Sequence, residues 1–376
     1  MHSIFIKMIS VVAGIILALG ALEAPMDIET APPPLNPPQA TVTEPAVGVE
    51  LKKPEKIYFK EPSKKPSPQA ISTPAMPSAT PSPSPADPVY LPISDLNTLA
   101  RRATVNIFCT SKSGGSDNPI SGSGVVISPS GVILTNAHIA QYFLLRDYPQ
   151  KDFLNCVIRA GDTARPAYKA GLLYISSAWV DKNFSNISKQ SPTGTGEHDY
   201  AFLKITETIP DGQPVTGGLP YLDSDLEYNE LPKQLPVFLA SYPAGFLSGS
   251  IIQTNLGMVT TVGYVKDIFT FSNSSGHLDE ISLGGSIIAQ AGSSGGAVVD
   301  ERTGKLIGIF VTSTLSGTTD ERNLSAVTTP YIKRDFTQAT AKDLLYAFAN
   351  PDVFKEIFPD SEFERLKAIL VGELGK

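Results

Sequence analysis

From Pro92 onward the apolar residues gather into short β-type runs at 104–110, 124–128, 132–135, 156–160, 200–205, 237–240, 251–262, 297–300, 306–312 and 326–329. Gly, Pro, Ser and Asp separate them, a pattern that predicts an all-β sandwich or barrel. Ser128-Pro-Ser-Gly131 and Asp300-Glu-Arg-Thr-Gly304 read as hairpin turns. The period changes near the C-terminus. Across 340–349 and 361–374, Leu344, Leu345 and Phe348, then Phe363, Leu366, Ile369 and Leu370, recur at helical spacing, with breaks at Asn350-Pro351 and Phe358-Pro359. Helices there are expected to pack on the β domain. No repeat at solenoid or propeller period is present.

Before Pro92 the pattern is different. Lys7 is followed by uncharged, mostly apolar residues from Met8 to Leu22, which is the form of an export signal. Ala18-Leu19-Gly20 offers a small-x-small cleavage site, whereas the stretch from Ile4 to Leu22 is about long enough to span a bilayer. Signal peptide and single transmembrane anchor therefore both stand for residues 1–24. Residues 25–92 read as a disordered Pro-rich linker, since 17 of the 32 prolines lie between Pro32 and Pro92. The expected divisions are 1–24, 25–92, a folded domain at 93–335 and a helical extension at 336–376. The protein is thus expected outside the cytoplasm, anchored to a membrane by its N-terminal segment or secreted after cleavage.

Composition narrows the function classes. With 30 Lys and Arg against 37 Asp and Glu the 376-residue chain carries −7, which gives no general footprint for nucleic acid. A mean hydropathy of +0.01 excludes a polytopic membrane protein. The four His and two Cys are scattered without ligand spacing, so no metal is expected, and phosphate-loop and dinucleotide fingerprints are lacking, so no cofactor is expected. Cys109 and Cys156 both lie in the exported part, where a disulfide is permitted; two buried thiols are the alternative.

Three segments carry chemistry. Gly122-Ser-Gly-Val-Val-Ile-Ser-Pro-Ser-Gly-Val-Ile-Leu-Thr135-Asn-Ala-His138 is a hairpin that delivers a His into a turn. His198-Asp199-Tyr-Ala-Phe-Leu-Lys-Ile205 puts an Asp at the mouth of a strand, and Ala291-Gly292-Ser293-Ser294-Gly295-Gly296 flanks Ser with Gly before an apolar strand. A serine hydroxyl needs a neutral imidazole to accept its proton, and the imidazole needs a carboxylate to fix its tautomer. Glycines beside the serine let two amides point at a developing oxyanion. His198 is a rival base, but adjacent to Asp199 in a strand it should face the other way.

In these words and in this order the segments resemble the signatures of trypsin-like, chymotrypsin-fold serine proteases, and most resemble the bacterial HtrA (Deg) branch. The resemblance covers about residues 95–335. It implies two antiparallel six-stranded β-barrels with a site between them, acting on polypeptide substrates. It also implies His138 as general base, Asp199 as orienting acid and Ser294 as nucleophile, with Gly292 and Ser294 as oxyanion donors. By family position Ala289, Ile309, Phe310 and Val311 would line the substrate pocket, with no acid there to favour a basic side chain. Several features depart from that branch: Ser293 stands where Asn or Asp is usual, and Tyr200 where Leu is common. The interval between His138 and Asp199 is long, which points to an inserted excursion near 181–196. No PDZ module is expected. A catalytically inactive binding scaffold at the cell surface is the alternative function.

Overall fold

The computed structural model describes residues 90–112, 119–189, 194–271, 277–284, 287–313 and 324–376. The signal or anchor at 1–24, and the linker as far as residue 89, lie outside the described residues. Among the described residues no helix is long and apolar enough to cross a membrane.

Two closed antiparallel barrels of six strands each make up the core of the fold. The first contains β1 (Thr104–Ser111), β2 (Ile120–Val126), β3 (Val132–Thr135), β4 (Leu154–Ala160), β5 (Arg165–Ile175) and β6 (Ala201–Thr208), closed in the order β1-β2-β3-β6-β5-β4. The second contains β7 (Pro236–Ser241), β8 (Val259–Phe269), β9 (Glu280–Leu283), β10 (Ala297–Asp300), β11 (Leu306–Ser313) and β12 (Leu324–Thr328), closed in the order β10-β11-β12-β9-β8-β7. Strands such as β3 and β10 are buried along their whole length. Their outer faces are covered as well as their inner ones, so they read as apolar runs and not as alternation.

Both hairpin turns expected from the sequence join paired strands, β2 to β3 and β10 to β11. Cys109 and Cys156 lie directly opposite each other in the β1–β4 ladder and form a disulfide. This resolves the cysteine alternative in favour of a bridge.

Several elements differ from the pattern reading. Of the expected strand at 251–262, the first part is the helix Gly249–Asn255; the strand begins only at Val259. The adjacent isoleucines suggested β structure, but only Ile252 is buried. Partners from the first barrel hold the helix: Arg159 Nη1 donates to the carbonyls of Ile252 and Gln253 at 2.9 and 3.0 Å, and Arg165 to that of Thr254 at 2.9 Å. Cations suit the open carbonyls of a helix C-terminus. Arg159 is itself buried under a Phe108 ring 4.0 Å away, and desolvation lowers its pKa to about 10.

In chain order the longer helices are α1 (Ile93–Ala103), α2 (Ala137–Leu144) and α3 (Ser177–Asn183), then α4 (Gly249–Asn255) and α5 (Thr329–Thr340). They continue with α6 (Leu344–Ala349), α7 (Val353–Ile357) and α8 (Asp360–Leu374). The helix expected at 340–349 is divided. α5 ends in a left-handed residue, Ala341 at φ 57°, and α6 restarts with the Asp343 side chain accepting from Tyr346 N. α5 had a legible start: the Thr328 side chain accepts from Tyr331 N and Pro330 occupies the first turn. The C-terminal helices pack on barrel one, as expected, through aromatic side chains. Phe336 meets Tyr174 edge-on at 5.1 Å, and Phe348 meets Phe202 at 5.1 Å.

Candidate active site

Strand register brings the first two candidate residues together. β3 and β6 run antiparallel with Thr135 opposite Ala201. The residues just after Thr135 and just before Ala201 therefore leave the ladder at the same end. Asn136 begins α2, and His138 sits in that helix's first turn, not in an open turn as the motif suggested. Asp199 arrives beside it. Its carboxylate accepts from the His138 amide at 3.0 Å through Oδ1, and Oδ2 lies 2.7 Å from His138 Nδ1. Asn136 Nδ2 donates to the Asp199 carbonyl at 2.9 Å, fixing the turn from below. The imidazole keeps 30% of its side-chain surface open while the carboxylate keeps 7%. Only the far side of the ring is therefore available for chemistry. Among the described residues Nε2 carries no hydrogen bond, to Ser294 or to any other group.

Ser294 reaches this end of the molecule through β2. Ser123 N donates to the Ser294 carbonyl at 2.7 Å, and Thr135 Oγ1, three residues before His138, donates to the Ser123 carbonyl at 2.8 Å. The Ser123 hydroxyl also crosses between barrels, accepting from Tyr242 N at 2.9 Å and donating to the Gly292 carbonyl at 2.8 Å. Sequence reading singled out the Gly122-Ser-Gly segment without giving Ser123 a role. A serine held between two glycines inside a strand was the available signal.

The loop before Ser294 leaves two amides free. The amides of Ser293, Gly295 and Gly296 donate to the carbonyls of Gln290, Phe310 and Ser293 at 3.2, 2.8 and 2.9 Å. Those of Gly292 and Ser294 have no acceptor among the described residues. Gly292 adopts φ +90°, and a Cβ there would lie 2.7 Å from the Tyr242 carbonyl oxygen, so only glycine fits this bend. Paired unbonded amides of this kind can receive a negative oxygen.

Ser293 is turned away. Its buried hydroxyl donates to the Ile288 carbonyl and accepts from Ser241 Oγ at 3.1 Å. It braces the loop from within barrel two, whereas Ser294 beside it is partly exposed.

His198 lies outside the strand, which corrects the reason for discounting it. β6 starts at Ala201, and His198 occupies a turn at φ +61°, with Nδ1 2.8 Å from Asp335 Oδ1 of α5. Ala289, Ile309, Phe310 and Val311 are all buried, Ile309 and Val311 in the cluster shared with barrel one, Ala289 and Phe310 in the core of barrel two. Gly196 closes over Val311, its Cβ position lying 3.0 Å from Cγ2. Among the described residues no group of His, Cys, Asp or Glu is arranged to hold a metal ion.

Two closed barrels make up the fold, with the His138–Asp199 pair at one end of β3 and β6 and the loop of Ser294 tied to β2. The chain belongs to the trypsin-like peptidase domain family, whose model matches residues 122–309. Among solved structures it is similar to Rv3671c from M. tuberculosis in its inactive form, at 17% identity and a TM-score of 0.40, covering 71% of this chain and 98% of that one. The active form of the Rv3671c protease matches at 19% identity and 0.39, covering 71% and 93%. A serine endoprotease from Yersinia pestis matches at 23% identity and 0.40, covering 65% of each chain. No curated protein sequence matches the chain.

Proposed function

We propose that this protein is a serine endopeptidase with His138 as general base, Asp199 as orienting acid and Ser294 as nucleophile. The observation that carries the reading is the 2.7 Å contact of His138 Nδ1 with a carboxylate that is almost wholly buried. That contact holds the Nδ1–H toward the carboxylate and leaves Nε2 as the nitrogen that can accept a proton.

In the first step the Ser294 hydroxyl oxygen attacks the substrate carbonyl carbon as its proton passes to His138 Nε2. Asp199 keeps Nδ1–H in place and stabilises the imidazolium. The carbonyl oxygen becomes an oxyanion facing the free amides of Gly292 and Ser294, each worth about 3 to 4 kcal/mol in the transition state. Collapse transfers the His138 proton to the departing amine and leaves an ester on Ser294. Water then attacks the ester, giving its proton to His138, and the second collapse returns that proton to Ser294 and releases the carboxylic acid. The Ser294–His138 hydrogen bond forms when substrate is bound, as free-enzyme catalytic contacts are commonly long or absent.

Substrates are polypeptides, and the sequence resemblance favours small or medium apolar side chains before the scissile bond. We place the enzyme outside the cytoplasm, as the export-type N-terminus suggests; the Cys109–Cys156 disulfide supports this, since such bonds persist in oxidising compartments. The test uses the full chain. Wild type should turn over casein and react with a fluorophosphonate, and Ser294→Ala should do neither while keeping its circular dichroism. Equal labelling of the two proteins would remove Ser294 from its role. A wild type that neither labels nor cleaves would leave the binding-scaffold alternative.

A further inference from the structure

The turn that presents Asp199 is gripped from behind by α5. His198 holds a left-handed backbone at φ +61°, which a residue bearing a Cβ adopts only when its surroundings keep it there. Two groups of α5 do so. Asp335 Oδ1 lies 2.8 Å from His198 Nδ1, and the His198 amide donates to Tyr331 Oη at 3.1 Å. The same turn is closed by Asp199 N donating to the Gly196 carbonyl at 3.1 Å and Tyr200 N to that of His198 at 2.9 Å. α5 is a firm support, with Tyr331 edge-on to Phe271 at 4.9 Å and Phe336 edge-on to Phe202 at 5.9 Å. One peptide unit separates the clamped His198 from the carboxylate that aims His138.

We propose that His198 is a positioning residue for the Asp199–His138 pair, clamped by Asp335 and Tyr331, so that the C-terminal helix α5 sets how well the imidazole is aimed. The proposal rests on the serine-peptidase reading above. It assigns His198 no contact with substrate; a small tilt of its turn would move the Asp199 carboxylate and, through two bonds, the whole imidazole.

The charged and titratable groups around His198 determine how the clamp responds to pH. Asp335 faces Nδ1, Glu197 Oε1 stands 3.9 Å from Nε2, and Lys182 pairs with that glutamate at 2.5 Å. Tyr331 lies against the His198 amide and ring, and Tyr200 and Tyr174 adjoin Asp335, their burial keeping all three phenols protonated. The hydrogen bond to Asp335 raises the His198 pKa, against a smaller lowering by desolvation. A raised imidazole pKa means that the ion pair is complete below the ordinary value and weakens as pH rises through the raised one. Loss of the clamp therefore belongs to the alkaline limb of an activity profile.

The test compares full-length wild type with Asp335→Asn, Tyr331→Phe and His198→Asn, using Gln338→Ala on the exposed side of α5 as control. The deciding readout needs no turnover: the proton NMR resonance of His138 Nδ1–H in its hydrogen bond to Asp199. In Asp335→Asn and Tyr331→Phe that resonance should shift or broaden, and in Gln338→Ala it should stay. Peptide hydrolysis should lose about 10- to 100-fold in kcat with little change in KM, the scale expected for sub-ångström misplacement of a catalytic group. The alkaline limb should move to lower pH in Asp335→Asn while the acid limb stays. Asparagine tolerates left-handed backbone and can still bond Asp335, so His198→Asn should keep most activity and have no alkaline limb from this pair. An unmoved Nδ1–H resonance in folded Asp335→Asn and Tyr331→Phe overturns the proposal, and His198→Asn carries the test if those variants do not fold. A wild type without hydrolysis sinks the peptidase reading but leaves the resonance able to judge the clamp.

Discussion

Replacing Gly295 by alanine would put a carbon where β2 already has an oxygen. At φ +83° the new Cβ would lie 2.0 Å from the Ser123 carbonyl oxygen and 2.7 Å from Thr135 Oγ1. Since a relaxed carbon–oxygen contact is about 3.3 Å, the loop and the strand would have to separate by about 1.3 Å. The 2.7 Å bond from Ser123 N to the Ser294 carbonyl and the 2.8 Å bond from Ser123 Oγ to the Gly292 carbonyl span that gap, and neither survives it. Two lost hydrogen bonds at about 1 kcal/mol each, buried groups left unmet, and about 1 kcal/mol for alanine in left-handed backbone sum to about 3 to 5 kcal/mol. Against a total stability of about 5 to 15 kcal/mol the variant should still fold. Its denaturation midpoint should fall at unchanged slope. The free amides of Gly292 and Ser294 ride on the displaced loop, so on the proposed mechanism fluorophosphonate labelling of Ser294 should slow by about 100-fold. Stability within about 1 kcal/mol of wild type together with an unchanged labelling rate would refute the account of how the nucleophile loop is seated on barrel one.

Ser293→Ala should destabilise the fold by about 1 to 3 kcal/mol in urea, because the Ser241 hydroxyl loses its buried acceptor and the Ile288 carbonyl keeps the Gln290 amide but loses the Ser293 hydroxyl. Labelling should persist at a reduced rate, and its complete loss here but not in Ser294→Ala would exchange the two serines' roles. The double variant Cys109→Ser, Cys156→Ser opens a loop closed across 47 positions and should lower stability by about 4 kcal/mol on the chain-entropy model. A wild type whose denaturation midpoint ignores reductant would contradict that. Burial raises the Glu280 pKa to about 6. Its folded form prefers the proton, so stability declines as pH rises from the ordinary carboxylate range through about 6. Glu280→Gln should accordingly gain about 1 kcal/mol at pH 8 and nothing at pH 4; equal effects at both pH values would show that packing and not ionisation is responsible.

Local words in the chain already contained the strands that deliver chemistry. β3, β6 and β10 are apolar runs closed by Asn136-Ala137-His138, preceded by His198-Asp199, and preceded by Gly292-Ser293-Ser294-Gly295-Gly296, so strand ends and candidate residues were found together. β5 was not legible, because its Arg165 and Lys169 are exposed, Tyr168 is half-buried, and the strand shows no clean alternation. Nor was α4, where two neighbouring isoleucines have a β signature and the deciding contacts are arginines 93 and 89 positions away.

Amino-acid order alone determined which side chains exist at strand ends, that they resemble the signatures of trypsin-like proteases, and that apolar runs must close into layers. Only tertiary closure decided which neighbours each one meets: Ser293 inward and Ser294 outward, Ser123 as the pin between barrels, and His198 held by a helix 133 positions later. The reason is physical. A motif fixes the backbone over a few residues, whereas the register between distant strands fixes which polar atoms come within bonding distance of one another. Buried hydrogen bonds reward one such register strongly and penalise the others.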